Sequence, residues 1–236
     1  MRVAVLRFPG SNCDLDMVAS LKTIRGVEPK LVWHEDAFSD RDFDAVVLPG
    51  GFAFGDRLRA GAIAANSPAL SRVKRMAENG APVLGVCNGF QILVESGLLP
   101  GALLRNTTLK FVCKWVEIRV ENTHTSFTSG LRKGQVLRMP IAHGEGRYFL
   151  GRNELADLES EGRVVFRYCD ESGRVSKESN PTGTLNNIAG VCNERGNVVG
   201  LMPHPERAAE ALFDPEGRKD GALVLASFSR PGRGGR

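Results

Sequence analysis

The sequence predicts an α/β protein built on a doubly wound, mostly parallel sheet with an antiparallel section attached to it. Three observations carry this. Short apolar runs of strand length recur, and helix-length segments separate them in the first hundred residues. The middle of the chain then changes to strand-like runs with no obvious helix between them.

The elements follow in order. Val3–Leu6 is a short apolar strand leading into the turn Phe8-Pro-Gly-Ser-Asn12. Leu15–Ile24 reads as a helix, with Asp14 and Asp16 where a first turn favours acids and Gly26 near its end. Gly10-Ser-Asn12 lacks the Lys-Ser/Thr of a phosphate loop, so it is read as a helix cap. Leu31–Trp33 and Asp44–Leu48 are the next strands, the second running into Pro49-Gly-Gly51. Pro68–Asn79 is helical, with Leu70, Val73, Met76 and Ala77 on one face and Gly80 as the stop. Val83–Val86 is a buried strand, and Phe90–Gly97 the apolar helix after it. Phe111–Val120, Gln135–Pro140 and Arg163–Cys169 form the antiparallel section. Asn197–Met202 is a further strand, and Leu223–Phe228 suits a last helix. Residues 1–229 are expected to form a single domain, and residues 230–236 a disordered Gly/Arg tail.

Composition narrows the class. The formal charge is +4, but Arg230, Arg233 and Arg236 supply three of those charges, and removing them leaves +1. The basic isoelectric point of about 8.9 therefore leans on a short tail, which argues against a nucleic-acid footprint. Five dispersed cysteines, with no C-x-x-C, match neither a disulfide framework nor a zinc site and suit a reducing, cytoplasmic setting. Arg7 interrupts the first apolar run, so no signal peptide is expected, and no stretch reaches the ~20 apolar residues of a membrane span.

The chemistry is concentrated in Gly85-Val-Cys87-Asn-Gly89-Phe-Gln91. A strand enters this segment and a helix leaves it, which is nucleophile-elbow architecture with Cys in place of Ser. Glycines two residues before and after Cys87 remove side chains that would clash in so tight a turn. The helix N-terminus beyond it favours a thiolate. A base and an orienter are needed, and Pro203-His204-Pro-Glu206 follows a strand that ends at the same sheet edge. Glu206, two residues on, can reach the imidazole, giving a Cys–His–Glu triad. Gly51, after the Asp44–Leu48 strand, and Asn88, just after the nucleophile, supply backbone N–H groups for an oxyanion hole.

Other groups carry less. His143, in Ala142-His-Gly-Glu-Gly-Arg147, fits a pocket mouth, a partner interface or a structural loop equally and stays outside the catalytic set. Asp56, Arg57 and Arg59 fit a partner contact or a solvated turn. Cys13, Cys113, Cys169 and Cys192 are read as inert packing or edge residues. A surface acid paired with Arg207 is the rival reading of Glu206.

Gly-x-Cys-x-Gly-x-Gln, the preceding Pro-Gly-Gly and the downstream Pro-His-Pro-Glu together resemble class I glutamine amidotransferases. The blocks Pro49–Asp56, Leu58–Ala64, Phe111–Val116, Pro140–Arg147 and Met202–Arg207 resemble, within that family, the glutaminase subunits of phosphoribosylformylglycinamidine synthase. The resemblance implies a flavodoxin-like fold and glutamine hydrolysis through a thioester on Cys87. It implies that ammonia passes to a PurL-like synthetase subunit, aided by a small PurS-like subunit. There formylglycinamide ribonucleotide would become the amidine in purine biosynthesis. It implies no cofactor in this chain and no metal, ATP and Mg²⁺ being used by the synthetase. Gln91 and the backbone near Phe111–Cys113 would line the glutamine pocket. Two rival readings remain: a stand-alone thiol hydrolase of γ-glutamyl compounds, and a binding subunit with a degenerate site.

Overall fold

Val3–Leu6, Ala45–Leu48, Val83–Val86 and Val198–Leu201 are buried on both faces, which is why each reads as an uninterrupted apolar run. A computed structural model describes residues 1–229; the Gly/Arg tail lies outside the described residues. Its first strands are β1 (Arg2–Arg7), β2 (Glu28–Trp33), β3 (Ala45–Leu48) and β4 (Val83–Val86). The middle of the chain adds β5 (Ala102–Leu104), β6 (Val112–Val120), β7 (Val136–His143), β8 (Arg147–Phe149) and β9 (Val164–Cys169). β10 (Ile188–Cys192) and β11 (Val198–Leu201) complete the set.

Nine of these form one sheet in the order β2-β1-β3-β4-β11-β10-β9-β6-β7, while β5 and β8 pair apart from it. The sheet divides cleanly. From β2 to β11 every pairing is parallel. From β11 to β7 every pairing is antiparallel. One buried apolar cluster runs through both halves, from Val3 and Val46 to Ile118 and Leu137.

The helices α1 (Asp14–Lys22), α2 (Pro68–Glu78) and α3 (Asn88–Glu95) fall where the sequence predicts them. The middle section departs from expectation, because α4 (Arg152–Ser160) lies between β7 and β9. It buries only Leu158 fully, so its periodicity is faint. Its start is fixed by Glu154, whose carboxylate accepts the Gly151 N–H at 3.1 Å. β10 is a second element that the sequence reading lacks. All five of its residues are buried, so no alternation marks it, and Gly190 breaks its register with β9. The last helix, α5 (Asp220–Leu225), gives way to a 3₁₀ turn over Ala226–Ser229. No helix among the described residues is long and apolar enough to cross a membrane.

Candidate active site

Cys87 stands between β4 and α3 with φ 49° and ψ −105°, a conformation that L-residues rarely adopt. The two flanking glycines explain how so strained a turn closes. A Cβ on Gly85 would lie 2.7 Å from the carbonyl oxygen of Gly89, and one on Gly89 would lie 1.8 Å from that of Leu48. The helix can therefore start only by pressing its backbone against β3. The Cys87 N–H donates to Leu201 O at 2.8 Å, tying the elbow to the end of the neighbouring β11. The thiol points toward Ala142 O, 3.8 Å away across the sheet.

β11 delivers His204 to the same edge, since Leu201 is in register with Val86. The His204 Nδ1–H donates to Glu206 Oε1 at 2.6 Å, both side chains being buried. Arg207 does not compete for that carboxylate. Its guanidinium goes instead to the sulfur of Cys13 and to Asp16, so the surface-acid reading of Glu206 is overturned. Burial lowers the proton affinity of His204, but the Glu206 carboxylate outweighs it, helped by Cys87 and Cys13. The net effect holds the imidazole protonated well above its ordinary range. Nε2, the nitrogen free to serve a nucleophile, has no hydrogen-bond partner in the protein. This arrangement can store a proton from a thiol and return it to a leaving amine.

The Gly50-Gly51 loop abuts this pair, because a Cβ on Gly50 would lie 2.6 Å from His204 Cε1. Gly51, with φ 152°, bridges to Ser11, and a Cβ there would strike the Ser11 Cα at 2.7 Å. The turn Phe8–Asn12 is thus a clamp for the glycine loop, which corrects its reading as a helix cap. The cap position of α1 is Cys13 and makes no side-chain capping bond. The loop bonds run from Phe52 N–H to Gly10 O and from Cys13 N–H to Gly50 O, engaging neither the Gly51 nor the Asn88 N–H. Asn88 opens α3, where an N–H has no intrahelical acceptor.

The Asn88 side chain organises the site from below, a role that sequence spacing did not reveal. Its Oδ1 accepts the Ala53 N–H at 3.0 Å, and its Nδ2 donates to Gln91 Oε1 at 2.9 Å. Gln91 Nε2 in turn donates to Glu145 O at 2.7 Å. The Gln91 amide is therefore committed at both ends, bracing the segment Ala142–Gly146 that roofs Cys87. Asn106 holds the same roof by donating to His143 O and accepting the Gly146 N–H. His143 is buried with both ring nitrogens unpartnered. Burial, aided by the charge on His204, pushes its pKa down to about 3. It is a neutral imidazole packed over Gly146 and takes no part in the His204–Glu206 pair. At the rim, Asp56 is pushed up to about 6 by burial and by Glu145.

Fold and site together define the class: an α/β protein carrying an elbow cysteine beside a His–Glu pair, arranged for acyl transfer. The chain belongs to the CobB/CobQ-like glutamine amidotransferase domain family, whose model matches residues 1–224. It is similar to phosphoribosylformylglycinamidine synthase subunit PurQ of Thermomicrobium roseum, at 56% identity over 96% of this chain and 94% of the relative. PurQ of Aquifex aeolicus is 51% identical over 97% and 99%. Among solved structures, one chain of the PurLQS structure from Thermotoga maritima matches with a TM-score of 0.83 and 45% identity, over 97% of each chain. A glutamine amidotransferase from the same organism, at 18% identity and a TM-score of 0.54, shares the fold over 90% and 78%.

Proposed function

We propose that this chain is the glutaminase subunit of a phosphoribosylformylglycinamidine synthase. The observation that carries the reading is the joint presence of two things. The chain is PurQ-like over nearly its whole length, and an elbow cysteine stands beside a buried His–Glu pair.

Cys87, as thiolate, attacks the side-chain amide carbon of glutamine. The N–H groups of Gly51 and Asn88 receive the oxyanion, and Gln91 and the backbone near Phe111–Cys113 line the pocket. His204, oriented by Glu206, gives its proton to the departing nitrogen, and ammonia leaves a glutamyl thioester. Water then enters, His204 takes its proton, and glutamate is released. Ammonia passes to a PurL-like synthetase subunit assembled with a PurS-like subunit. That partner uses ATP and Mg²⁺ to convert formylglycinamide ribonucleotide to the amidine, and this chain needs no cofactor or metal. The setting is the cytoplasm.

The rim supports a partner of this kind. Phe52 and Phe111 meet with ring centroids 6.3 Å apart, and Leu58 and Leu109, a few residues along the same two loops, are exposed at positive φ. Apolar side chains held out in strained loops suit burial by another subunit.

The deciding experiment uses the chain assembled with its synthetase partners. Cys87→Ala should abolish amidine formation from glutamine while leaving formation from ammonium salts intact. Persistent glutamine-dependent synthesis in that variant would overturn the reading. So would full glutaminase activity of the isolated wild-type chain, unchanged by partners, which is what a stand-alone γ-glutamyl hydrolase predicts.

A further inference from the structure

Cys13 is a second thiol at the triad that the mechanism above does not use. It is 2% exposed and stands at the start of α1, where no capping bond accounts for it. Its sulfur, a nitrogen of His204 and a carboxylate oxygen of Glu206 all lie within 4.8 Å of one another. A Cβ placed on Gly50 would be 3.1 Å from that sulfur and 2.6 Å from His204 Cε1, so Gly50, Cys13 and the imidazole edge meet in one tight contact. The sulfur also accepts the Arg207 Nη2–H at 3.1 Å and donates its own hydrogen to Asn12 Oδ1 at 3.2 Å.

We propose that Cys13 is a positioning residue for His204, its sulfur bracing the imidazole against Gly50 on the edge that Glu206 leaves open. The argument is geometric. Glu206 fixes one point of the ring, Nδ1, and a ring held at one point can still rotate about that hydrogen bond. Gly50 offers a flat floor without a side chain, and the sulfur closes the remaining side. Sulfur suits the place because it is large and polarisable. Cys13 also contributes to keeping the His204 imidazolium protonated. Burial pushes the Cys13 thiol up, so it braces as a neutral group and does not act as a second nucleophile. The bond from Arg207 to the sulfur has a further result. It holds the guanidinium away from the neighbouring Glu206 carboxylate, whose Oε2 has no partner in the protein.

The same three donors invite a soft divalent cation, but the Arg207 guanidinium against the sulfur opposes a second positive charge there. The groups facing His204 are Cys87, Glu206 and Cys13, with His143 acting at longer range, while Arg207 faces Cys13. Of these, only Cys13 has no place in the reaction above and yet has its sulfur within 4.8 Å of a ring nitrogen of His204.

This inference rests on the proposed triad, and its test separates the two. Cys13→Ala and Cys13→Ser are assembled with the synthetase partners beside Cys87→Ala, and kcat and KM for glutamine are followed across pH. Ammonium-dependent synthesis serves as the control for the partner. Cys13→Ala should lower kcat roughly tenfold with KM for glutamine unchanged, within the usual reach of acid–base positioning. The alkaline limb of its profile should move to lower pH, because the imidazolium loses a stabilising neighbour. Cys13→Ser, which keeps a lone pair at the same place, should restore much of the loss. The inference is overturned if Cys13→Ala keeps its kcat. It is equally overturned if its loss only tracks a lower melting temperature, with a pH profile superimposable on the wild type. Zinc inhibition of wild type that vanishes in Cys13→Ser, without a change in profile, would mark a metal site and overturn it too. If Cys87→Ala retained glutamine-dependent activity, the triad itself would be at fault instead.

Discussion

The two halves of the sheet serve the site differently. The parallel half carries the groups proposed to react and to stabilise charge, at adjacent strand ends: the glycine loop after β3, Cys87 after β4 and His204 after β11. Their spacing is set by ladder register, and their conformations are enforced by contacts that allow no side chain, as at Gly89 against Leu48 O. The antiparallel half supplies no member of the triad. It supplies the roof, the segment Ala142–Gly146, which begins at the end of the β6–β7 ladder and is held over Cys87 by backbone and side-chain bonds of Asn106 and by the Gln91 side chain. The first half is rigid because backbone meets backbone. The end of the roof, Gly144–Gly146, lies beyond the β6–β7 ladder and rests partly on side chains, which suits the part of a site that must admit substrate and answer to a partner.

This contrast can be broken experimentally. The largest effect is expected within the parallel half, at Glu206. Glu206→Gln should cut glutamine-dependent turnover about ten-thousandfold, as when the orienting acid of a triad is made neutral. Burial then dominates at His204, so its pKa should fall, and alkylation of Cys87 should need a higher pH than in wild type. Titrating the alkylation rate against pH checks this, and an unshifted curve would contradict the assigned role.

Next comes Gly89→Ala. The added methyl has nowhere to go, and a loss of about 3 kcal/mol or more is expected from overpacking against backbone. Chemical denaturation measures it. A loss below about 1 kcal/mol would show that the elbow is softer than its contacts imply.

At the contact between the halves, Gln91→Leu on α3 removes the donor to Glu145 O of the roof and the acceptor for Asn88. Stability should fall by about 1–3 kcal/mol, because buried groups lose their partners. KM for glutamine should rise more than kcat falls, since the roof shapes the pocket while the triad stays intact. A pure kcat defect would place Gln91 with the reacting groups instead.

The smallest effect is at the rim. The pKa of Asp56 is raised in the fold, from its ordinary value of 3.8 to about 6. The folded state therefore holds a proton that the unfolded chain releases. Stability should fall as pH rises from about 4 to about 6 and stay level above. Asp56→Asn should flatten that dependence and raise stability at pH 7 by about 1 kcal/mol, a figure reduced for the residue's partial exposure. Thermal melts across pH 4–7 would show it, and an unchanged slope would remove Asp56 as its source.

How much was legible follows from the same contrast. The parallel strands are buried on both faces and punctuated by glycine, so composition alone marks them, and Gly85, Cys87 and Gly89 announce the elbow by spacing. The His-Pro-Glu turn was readable because its partners are two residues apart. The antiparallel half was read less well. β10 has no alternation, and α4 buries a single side chain fully, so neither leaves a periodic trace. Gln91 was legible as a motif residue, but its two hydrogen bonds, one of them to the distant Glu145, were not.

The sequence by itself determined the elbow cysteine and the His–Glu pair, because both are local patterns set by residue type and short spacing. The tertiary structure decided everything that depends on contact across the chain. It brought the Phe8–Asn12 turn onto Gly51, put Ala142 over the thiol, drew Arg207 away from Glu206 and set Cys13 beside His204. Such contacts join residues up to 194 positions apart, and no local pattern records them because register and packing, not sequence proximity, set the distances.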